Sequence, residues 1–433
     1  MAKGKIFAGI DVGTCKVTTI ITSQDEETRK LRVVGVATVG SKGIRKSQVV
    51  DIDDAIEAIT QSVEAAERMA GFSISDAFVS VGGAHIMSQN SKGVVAVANP
   101  GEEVIEEDVD RVIEAARAVS LPSSREILHV IPRDFIVDSQ PGIKDPLSMT
   151  GIRLEVDAHI ITGASTAIRN LVKCVTEIGI NVAATVFSGL AAAESSLTET
   201  EKELGVCVID IGGGTTSVSV FAEGLLTHSF VLPIGAKHIT NDLAIGLRVS
   251  LEEAEKIKLI LSNNPKESLL EDPQGTGDIL SLERFGIVEK LNKPSYKNIV
   301  EGIIRPRLNE IFGMVRDELK KCGFLSLVPA GIVLSGGGAL TVGIKDSAKR
   351  TLALPVRIAT FRSGGDESKL IGLVDDIDTP AYAVSQGLLL YATSQTERLT
   401  GSRLRMPNMG FLEKFSGKSI FGKLIDFIRS FLP

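Results

Sequence analysis

The stretch that most restricts the fold is VIDIGGGTTSVSVF at residues 208–221: an apolar β-branched run ending in Asp210, three glycines, two threonines and a second β-branched run. Alternation on both sides of a glycine turn predicts strand–turn–strand. Glycines there let backbone N–H groups approach phosphate oxygens, Thr215 and Thr216 add hydroxyl donors, and Asp210 offers a ligand for Mg²⁺ or a bridging water. Taken alone, the pattern equally describes an ordinary hairpin whose glycines supply positive φ. The N-terminus repeats it in FAGIDVGTCKVTTIIT, where Asp11, Gly13 and Thr14 lead into an alternating strand from Val17 to Thr22. A third glycine cluster, AGIVLSGGGALTVGI at 330–344, follows an apolar strand but leads toward a helix. No G-x-x-x-x-G-K-[ST] occurs and neither hairpin opens a helix directly, which argues against Walker-type and dinucleotide-binding loops.

About two hundred residues separate the two acid–glycine hairpins, more than a usual single domain, so each is expected to open one half of a duplicated fold. Between them, residues 51–71 place Ile52, Ile56, Ile59 and Val63 at helical spacing and end in Gly71. DAFVSVGGAHI follows as a strand. Residues 84–163 carry no nucleotide motif; KGVVAVA, the acidic helix EEVIEEDVDRVIEAARAVSL, REILHVIPRDFIVD and IRLEVDAHIITG describe a small α+β insertion. Residues 241–320 are mainly helical, with a break at NNPKESLLEDPQGTGDILSLERFG.

The chain is large enough for two or more cores, and a net charge of −7 argues against nucleic acid as a partner, since phosphate backbones call for a basic patch. Cys15, Cys174, Cys207 and Cys322 include no C-x-x-C pair, so spacing signals neither zinc nor a disulfide framework. With no signal-peptide pattern before the first strand, a reducing cytoplasm is the expected home. His85, His129, His159, His228 and His238 are dispersed and read as structural rather than catalytic.

The order of two acid–glycine hairpins and a later glycine-rich loop resembles the actin-like ATPase superfamily. It implies an α/β, two-lobed fold of duplicated ribonuclease H-like domains. The insertion narrows the resemblance: PGIKDPLSMTGIRLEVDAHIITG and FSGLAAAESSLTETEKELGVCVIDIGGGTTSVSVF are similar to segments of the bacterial cell-division family FtsA. Nearly the whole chain shares this likeness. It implies a first lobe core from 1–83 and 164–195, completed by a helix near 380–395, and an inserted subdomain at 84–163. It further implies a second lobe core from 196–240 and 321–395, a helical subdomain at 241–320, a linker at 396–410 and an amphipathic helix at 411–433.

Carried to this sequence, the family pattern implies ATP and Mg²⁺ as cofactors. Asp11, Gly13, Thr14 and Lys16 would surround the β- and γ-phosphates and metal from one lobe, and Asp210, Gly212, Gly213, Gly214 and Thr215 from the other. Asp11 and Asp210 are the metal candidates. Gly336, Gly337 and Gly338 would lie by base and ribose, and Glu255 and Lys258 by the nucleoside, although an i, i+3 Glu/Lys pair also suits a solvated ion pair. Where relatives carry a water-positioning Glu or Gln, this chain has Ser188 in VFSGLAAAES.

The C-terminal segment FLEKFSGKSIFGKLIDFIRSFLP holds five of the 16 phenylalanines. From an N-cap at Ser419, the residues Ile420, Phe421, Leu424, Ile425, Ile428, Phe431 and Leu432 fall on one helical stripe, with Lys414, Lys418, Lys423 and Arg429 as cationic flanks. At 1.5 Å per residue this helix is about 20 Å long, too short to span a bilayer. It suits an anionic membrane surface; docking on the protein's own core is the alternative. The family likeness implies a membrane anchor.

The resemblance also implies a lobe that receives the C-terminal peptide of the tubulin-like protein FtsZ. In KPSYKNIVEGIIRPRLNEIFGMV, Ile303, Leu308 and Ile311 read as core, while Lys297, Arg305 and Arg307 are candidates to meet an acidic peptide, or else form a solvated basic face. The expected protein polymerises with itself on the inner face of the cytoplasmic membrane at the division site, tethers FtsZ filaments and recruits further division proteins through its insertion. A small-molecule kinase and an actin-like pilus-assembly scaffold are the alternatives. Because Ser188 is a poor base, general-base assistance worth about 10²–10⁴-fold is absent and any ATPase activity is expected to be slow. A steady-state turnover on the order of 10 s⁻¹ would refute this.

Overall fold

Both acid–glycine motifs are the turns between the first two strands of a sheet, and the two sheets repeat one topology. The computed structural model describes residues 4–401 apart from 26, 99–102, 272–277, 288–294, 362–369 and 376, with side chains described to residue 396. In the first sheet, Ile6–Val12 pairs antiparallel with Lys16–Gln24, which pairs with Leu31–Gly40; on its other side lie Asp76–Val81 and Asn181–Phe187, both parallel. In the second, Val206–Ile211 pairs antiparallel with Thr216–Ala222, which pairs with Leu225–Leu232, while Gly331–Ser335 and Val356–Ile358 continue in parallel. Val206–Ile211 is buried along its whole length, as a central strand covered on both faces must be.

Local chemistry explains the helices that flank these sheets. Ile52–Ala70 starts at Asp51, whose carboxylate accepts from the Asp54 N–H, and stops at Gly71, whose φ of 80° few other residues adopt. Its apolar face places Ile59, Val63 and Ala66 in the first core. Further along the chain, Tyr296–Ile299 runs through a π-helical turn, Val300–Ile304, into Arg305–Lys321. Pro306 supplies the cause: it has no N–H, and its ring crowds the carbonyl four residues earlier, so the backbone widens there.

The helix Ser188–Ser196 packs against strands of both sheets and against Ala383–Gly401, which also packs on Ile6–Val12. Ala191, Ala192 and Ala193 are fully buried. At the crossing of the two helices, a Cβ added to Gly387 would stand 1.7 Å from the Ala191 carbonyl oxygen.

Residues expected as an α+β insertion form a separate antiparallel sheet, ordered Met87–Ala96, Arg153–Ala164, Arg125–Val137 and Gln140–Ile143, with the helix Glu106–Arg117 on one face. REILHVIPRDFIV is one long strand, bent by register shifts against Arg153–Ala164. This sheet is clamped to the second lobe. The Ser88 hydroxyl donates to the Ser229 carbonyl at 2.6 Å, and His159 Nε2 lies 2.8 Å from Ser229 Oγ. On the first-lobe side, the Phe187 N–H donates to His129 Nε2 at 2.9 Å. Among the described residues no helix is long and apolar enough to cross a membrane. Phe421, Leu424, Ile425, Ile428, Phe431 and Leu432 lie outside the described residues.

Burial pushes His129 down to about 4 and His159 down to about 3, with neighbouring positive groups adding to the shift at His159. Both imidazoles therefore stay neutral in the folded protein while the unfolded chain takes up protons below about pH 6.5. The stability they contribute is complete above that pH and is lost as pH falls toward 4 and 3. Thermal unfolding between pH 7 and pH 4 is expected to show a shallower acid loss in His129→Gln/His159→Asn than in the parent; equal slopes would contradict the assignment.

Candidate functional site

The two glycine turns are copies of one another at atomic detail. The Gly13 N–H donates to the Lys16 carbonyl at 3.0 Å, and the Gly212 N–H donates to the Thr215 carbonyl at 2.9 Å. Before each turn stands an acid hydrogen-bonded by a serine from elsewhere in the chain. Ser80 donates to Asp11 at 2.7 Å and Ser335 donates to Asp210 at 3.1 Å. In both cases the serine sits on the parallel strand beside the acid-bearing strand.

The charge of Asp11 is felt at Asp210 across the cleft. Burial, and then the charge of Asp11, push Asp210 up to about 7; the Ser335 hydrogen bond and Lys16 oppose the rise. Burial also raises Asp11. Lys16 is lowered by burial, with Asp11 and Asp210 holding it up, and its ammonium sits 3.6 Å from the centroid of the Tyr382 ring. A buried carboxylate and a half-buried one paired in this way fit a divalent cation, and Mg²⁺ commonly takes one or two carboxylates together with phosphate oxygens.

The turns face each other closely. A Cβ on Gly213 would meet Cys15 Sγ at 2.2 Å, and one on Gly214 would meet Thr14 Oγ1 at 2.8 Å, so side chains are excluded there. Hydroxyls bridge the lobes. The Ser47 N–H donates to Thr14 Oγ1 at 2.9 Å, Ser47 Oγ lies 3.0 Å from Thr215 Oγ1, and Lys237 Nζ donates to the Thr14 carbonyl at 3.3 Å. Ser188, at the start of its helix, shares a hydrogen bond of 3.2 Å with Ser217 of the second lobe. Thr216, expected as a donor to phosphate, instead donates to the Ile234 carbonyl at 2.8 Å and is fully buried, because it is the first residue of its strand and faces inward.

The third glycine cluster divides by role. Gly336 has φ 80° and its Cβ would strike the Ile211 carbonyl at 2.5 Å; a Cβ on Gly338 would strike Ile211 Cγ2 at 2.4 Å. These two let the loop lie against Val206–Ile211. Gly337 is exposed, with nothing nearer than 4.0 Å. Lys258 is buried and donates to Glu255 at 2.7 Å and to Thr240 at 2.9 Å, so the pair is a partly buried cluster rather than a solvated bridge. Both charges act on Cys15, which sets them beside the first turn.

Known proteins resemble this chain. Residues 83–162 match the family model described as the SHS2 domain inserted in FTSA, and residues 207–387 match that of cell division protein FtsA. Cell division protein FtsA of Pseudomonas aeruginosa is 37% identical over 388 residues, covering 90% of this chain and 89% of the relative. That of Bacillus subtilis is 37% identical over 417 residues, covering 95% and 89%. The chain belongs to the FtsA family of cell-division proteins. Solved structures agree on an actin-like fold. The PilM-PilN type IV pilus biogenesis complex aligns with a TM-score of 0.61 at 16% identity, covering 89% of this chain and 98% of that one. MreB 5 of Spiroplasma citri bound to AMPPNP aligns with 0.53 at 14%, covering 92% and 98%.

The partner-facing candidates of this FtsA-family chain are less free than their charges imply. Arg305 pairs with Glu301, and Arg307 forms a two-pronged bridge to Asp242 at 2.6 and 2.8 Å. Arg307 also reaches Glu310. Asp242, Arg307 and Glu310, with Gly302, Ile303 and Pro306, line a cavity of about 260 Å³, to which Arg305 does not contribute. Lys297 is exposed, and Leu308 and Ile311 are core as expected. Ser47, Ser80 and Ser335 were not singled out in the sequence, yet Ser80 and Ser335 each stand just before a run of glycines, SVGG and SGGG, a signal that parallels the acid motif.

The raised Asp210 makes a sign-definite expectation. From about pH 4 to 7 the folded protein keeps a proton that the unfolded chain has released, so this group costs stability as pH rises. Without nucleotide or metal, Asp210→Asn is expected to melt at least ~2 °C above the parent at pH 8, with the gap closing toward pH 4. A gap that stays constant with pH would contradict the buried-acid account.

Proposed function

We propose that this chain is a nucleotide-controlled adaptor that binds Mg²⁺·ATP between its lobes, assembles with copies of itself on the inner face of the cytoplasmic membrane, tethers FtsZ filaments there and recruits further division proteins through its insertion. The observation that carries the nucleotide part is the pair of matching glycine turns with Asp11 and Asp210 held at their entrances. Gly13, Thr14, Gly212, Gly213, Gly214 and Thr215 would present amides and hydroxyls to phosphate oxygens, and the two aspartates would hold the metal directly or through water. The metal would neutralise phosphate charge and relieve the repulsion between the acids. Lys16, now over the Tyr382 ring, is within the same charge cluster and would lend its positive charge to the phosphates. Gly337, exposed, would lie on the nucleoside side, and Glu255 and Lys258, beside the first turn, would contact the nucleoside.

Phosphates entering between the turns would replace the direct hydroxyl bridges of Ser47 with Thr14 and Thr215. Ligand affinity is thereby tied to lobe closure, which is how a nucleotide biases polymer contacts. Ser188 can orient a water but is already hydrogen-bonded to Ser217, which agrees with slow hydrolysis. For the FtsZ peptide, the cavity beside Arg307 supplies a site in which an acidic ligand would compete with Asp242 and Glu310 for the guanidinium. The membrane part rests on the amphipathic pattern of residues 411–433.

Co-sedimentation with anionic vesicles tests the reading. The full chain with ATP is expected to pellet with lipid and to bring FtsZ with it, whereas a chain ending at residue 410, or Phe421→Glu/Phe431→Glu, is expected to stay in the supernatant. Unchanged lipid binding by the truncated chain would refute the anchor, and assembly on lipid that is the same with ATP, ADP and no nucleotide would refute the switch.

A further inference from the structure

The edge strand Leu225–Leu232 meets the C-terminal end of the helix Arg305–Lys321 at three side chains that nucleotide binding does not use. His228, Glu318 and Cys322 each offer one donor atom, and these atoms lie within 4.8 Å of one another. Glu318 and Cys322 are one helical turn apart, with Sγ 3.8 Å from Oε1. A tetrahedral ion with ligands at about 2.0–2.3 Å holds its donors about 3.3–3.8 Å apart, so the helix pair already stands at the required spacing.

The histidine is held in place and left unsatisfied. Its ring stacks on Phe324, centroids 5.0 Å apart and planes 16° apart, and also leans on Phe230. Nε2 is buried and has no hydrogen-bond partner. A buried ring nitrogen without a partner costs free energy and asks for a ligand. Glu318 is otherwise bound to Lys321 at 3.4 Å, a pair whose lysine is 74% exposed and which contributes little. Cys322 is a free thiol.

We propose that His228, Glu318 and Cys322 form a binding site for a zinc-type divalent cation, with a fourth position open to water. Mixed imidazole, carboxylate and thiolate donors select such an ion over Mg²⁺ or Ca²⁺. On binding, the thiol proton passes to solvent as the sulfur–metal bond forms. His228 lies about ninety residues before the Glu318–Cys322 pair, so the ion would pin the edge strand to the helix. The next residue on that strand, Ser229, is the one gripped by Ser88 and His159 of the insertion. Metal at this point would therefore stiffen the attachment of the insertion to the second lobe.

Calorimetric titration of the untagged, metal-free full-length protein with Zn²⁺, and absorption spectroscopy with Co²⁺, tests the site. One strong equivalent and a thiolate-to-cobalt charge-transfer band are expected. Cys322→Ser should lose the band and weaken Zn²⁺ by at least ~10-fold, Glu318→Gln should weaken it similarly, and Cys174→Ser should bind as the parent does. Cys322→Ser is the decisive variant because removing the His228 ring would also disturb the packing on Phe324; its fold is checked by thermal unfolding. Undiminished Zn²⁺ affinity in folded Cys322→Ser, or no thiolate band in the parent, would overturn the proposal.

Discussion

Two carboxylates at the same place in two copies of one fold, Asp210 buried and Asp11 half-buried, are the constraint around which the rest is arranged. Asp11 and Asp210 each stand next to last in the first strand of a sheet and each accepts from a serine on the parallel strand beside it; burial raises both, and the charge of Asp11 raises Asp210 further. Buried like charges are costly alone. The structure keeps them solvable by surrounding them with serine hydroxyls, Lys16 and two open glycine turns. The charge that costs the fold stability is the charge that the proposed metal–phosphate ligand would neutralise.

The duplication was legible in sequence because it is local. An apolar run, an acid and glycines within a few residues are enough to predict each hairpin, and the helix at 51–71 announced itself by spacing and caps. The partners of those acids were not legible in the same way. Ser80 reaches Asp11, and Ser335 reaches Asp210, only because parallel strands are brought side by side by long crossovers. Thr216 shows the converse. Its type and position suited a phosphate donor, but strand alternation turns it inward, where its hydroxyl is consumed by a backbone carbonyl. Charge alone marks the arginines at 305 and 307 as free; their acidic partners sit one helical turn away or on another helix, and the latter is a matter of packing rather than of pattern.

The insertion is more than an appendage. It touches the first lobe through His129 and the second through His159 and Ser88, so it spans the same two bodies as the nucleotide cleft. Both histidines are kept neutral by burial, which makes these junctions polar yet uncharged at ordinary pH. Any rotation of one lobe against the other must be accommodated at these contacts. The insertion is in this way mechanically attached to the cleft between the glycine turns.

The absence of a side chain at Gly387 has its own consequence. Helices that meet through interlocked side-chain ridges resist swivelling, since turning one requires lifting its ridges out of the other's grooves. Where the helix Ala383–Gly401 crosses Ser188–Ser196, backbone rests on backbone with no room for a methyl group. Such a point contact acts as a bearing: it fixes distance without fixing angle, and lets the helices turn about their point of closest approach while the surrounding alanines stay covered.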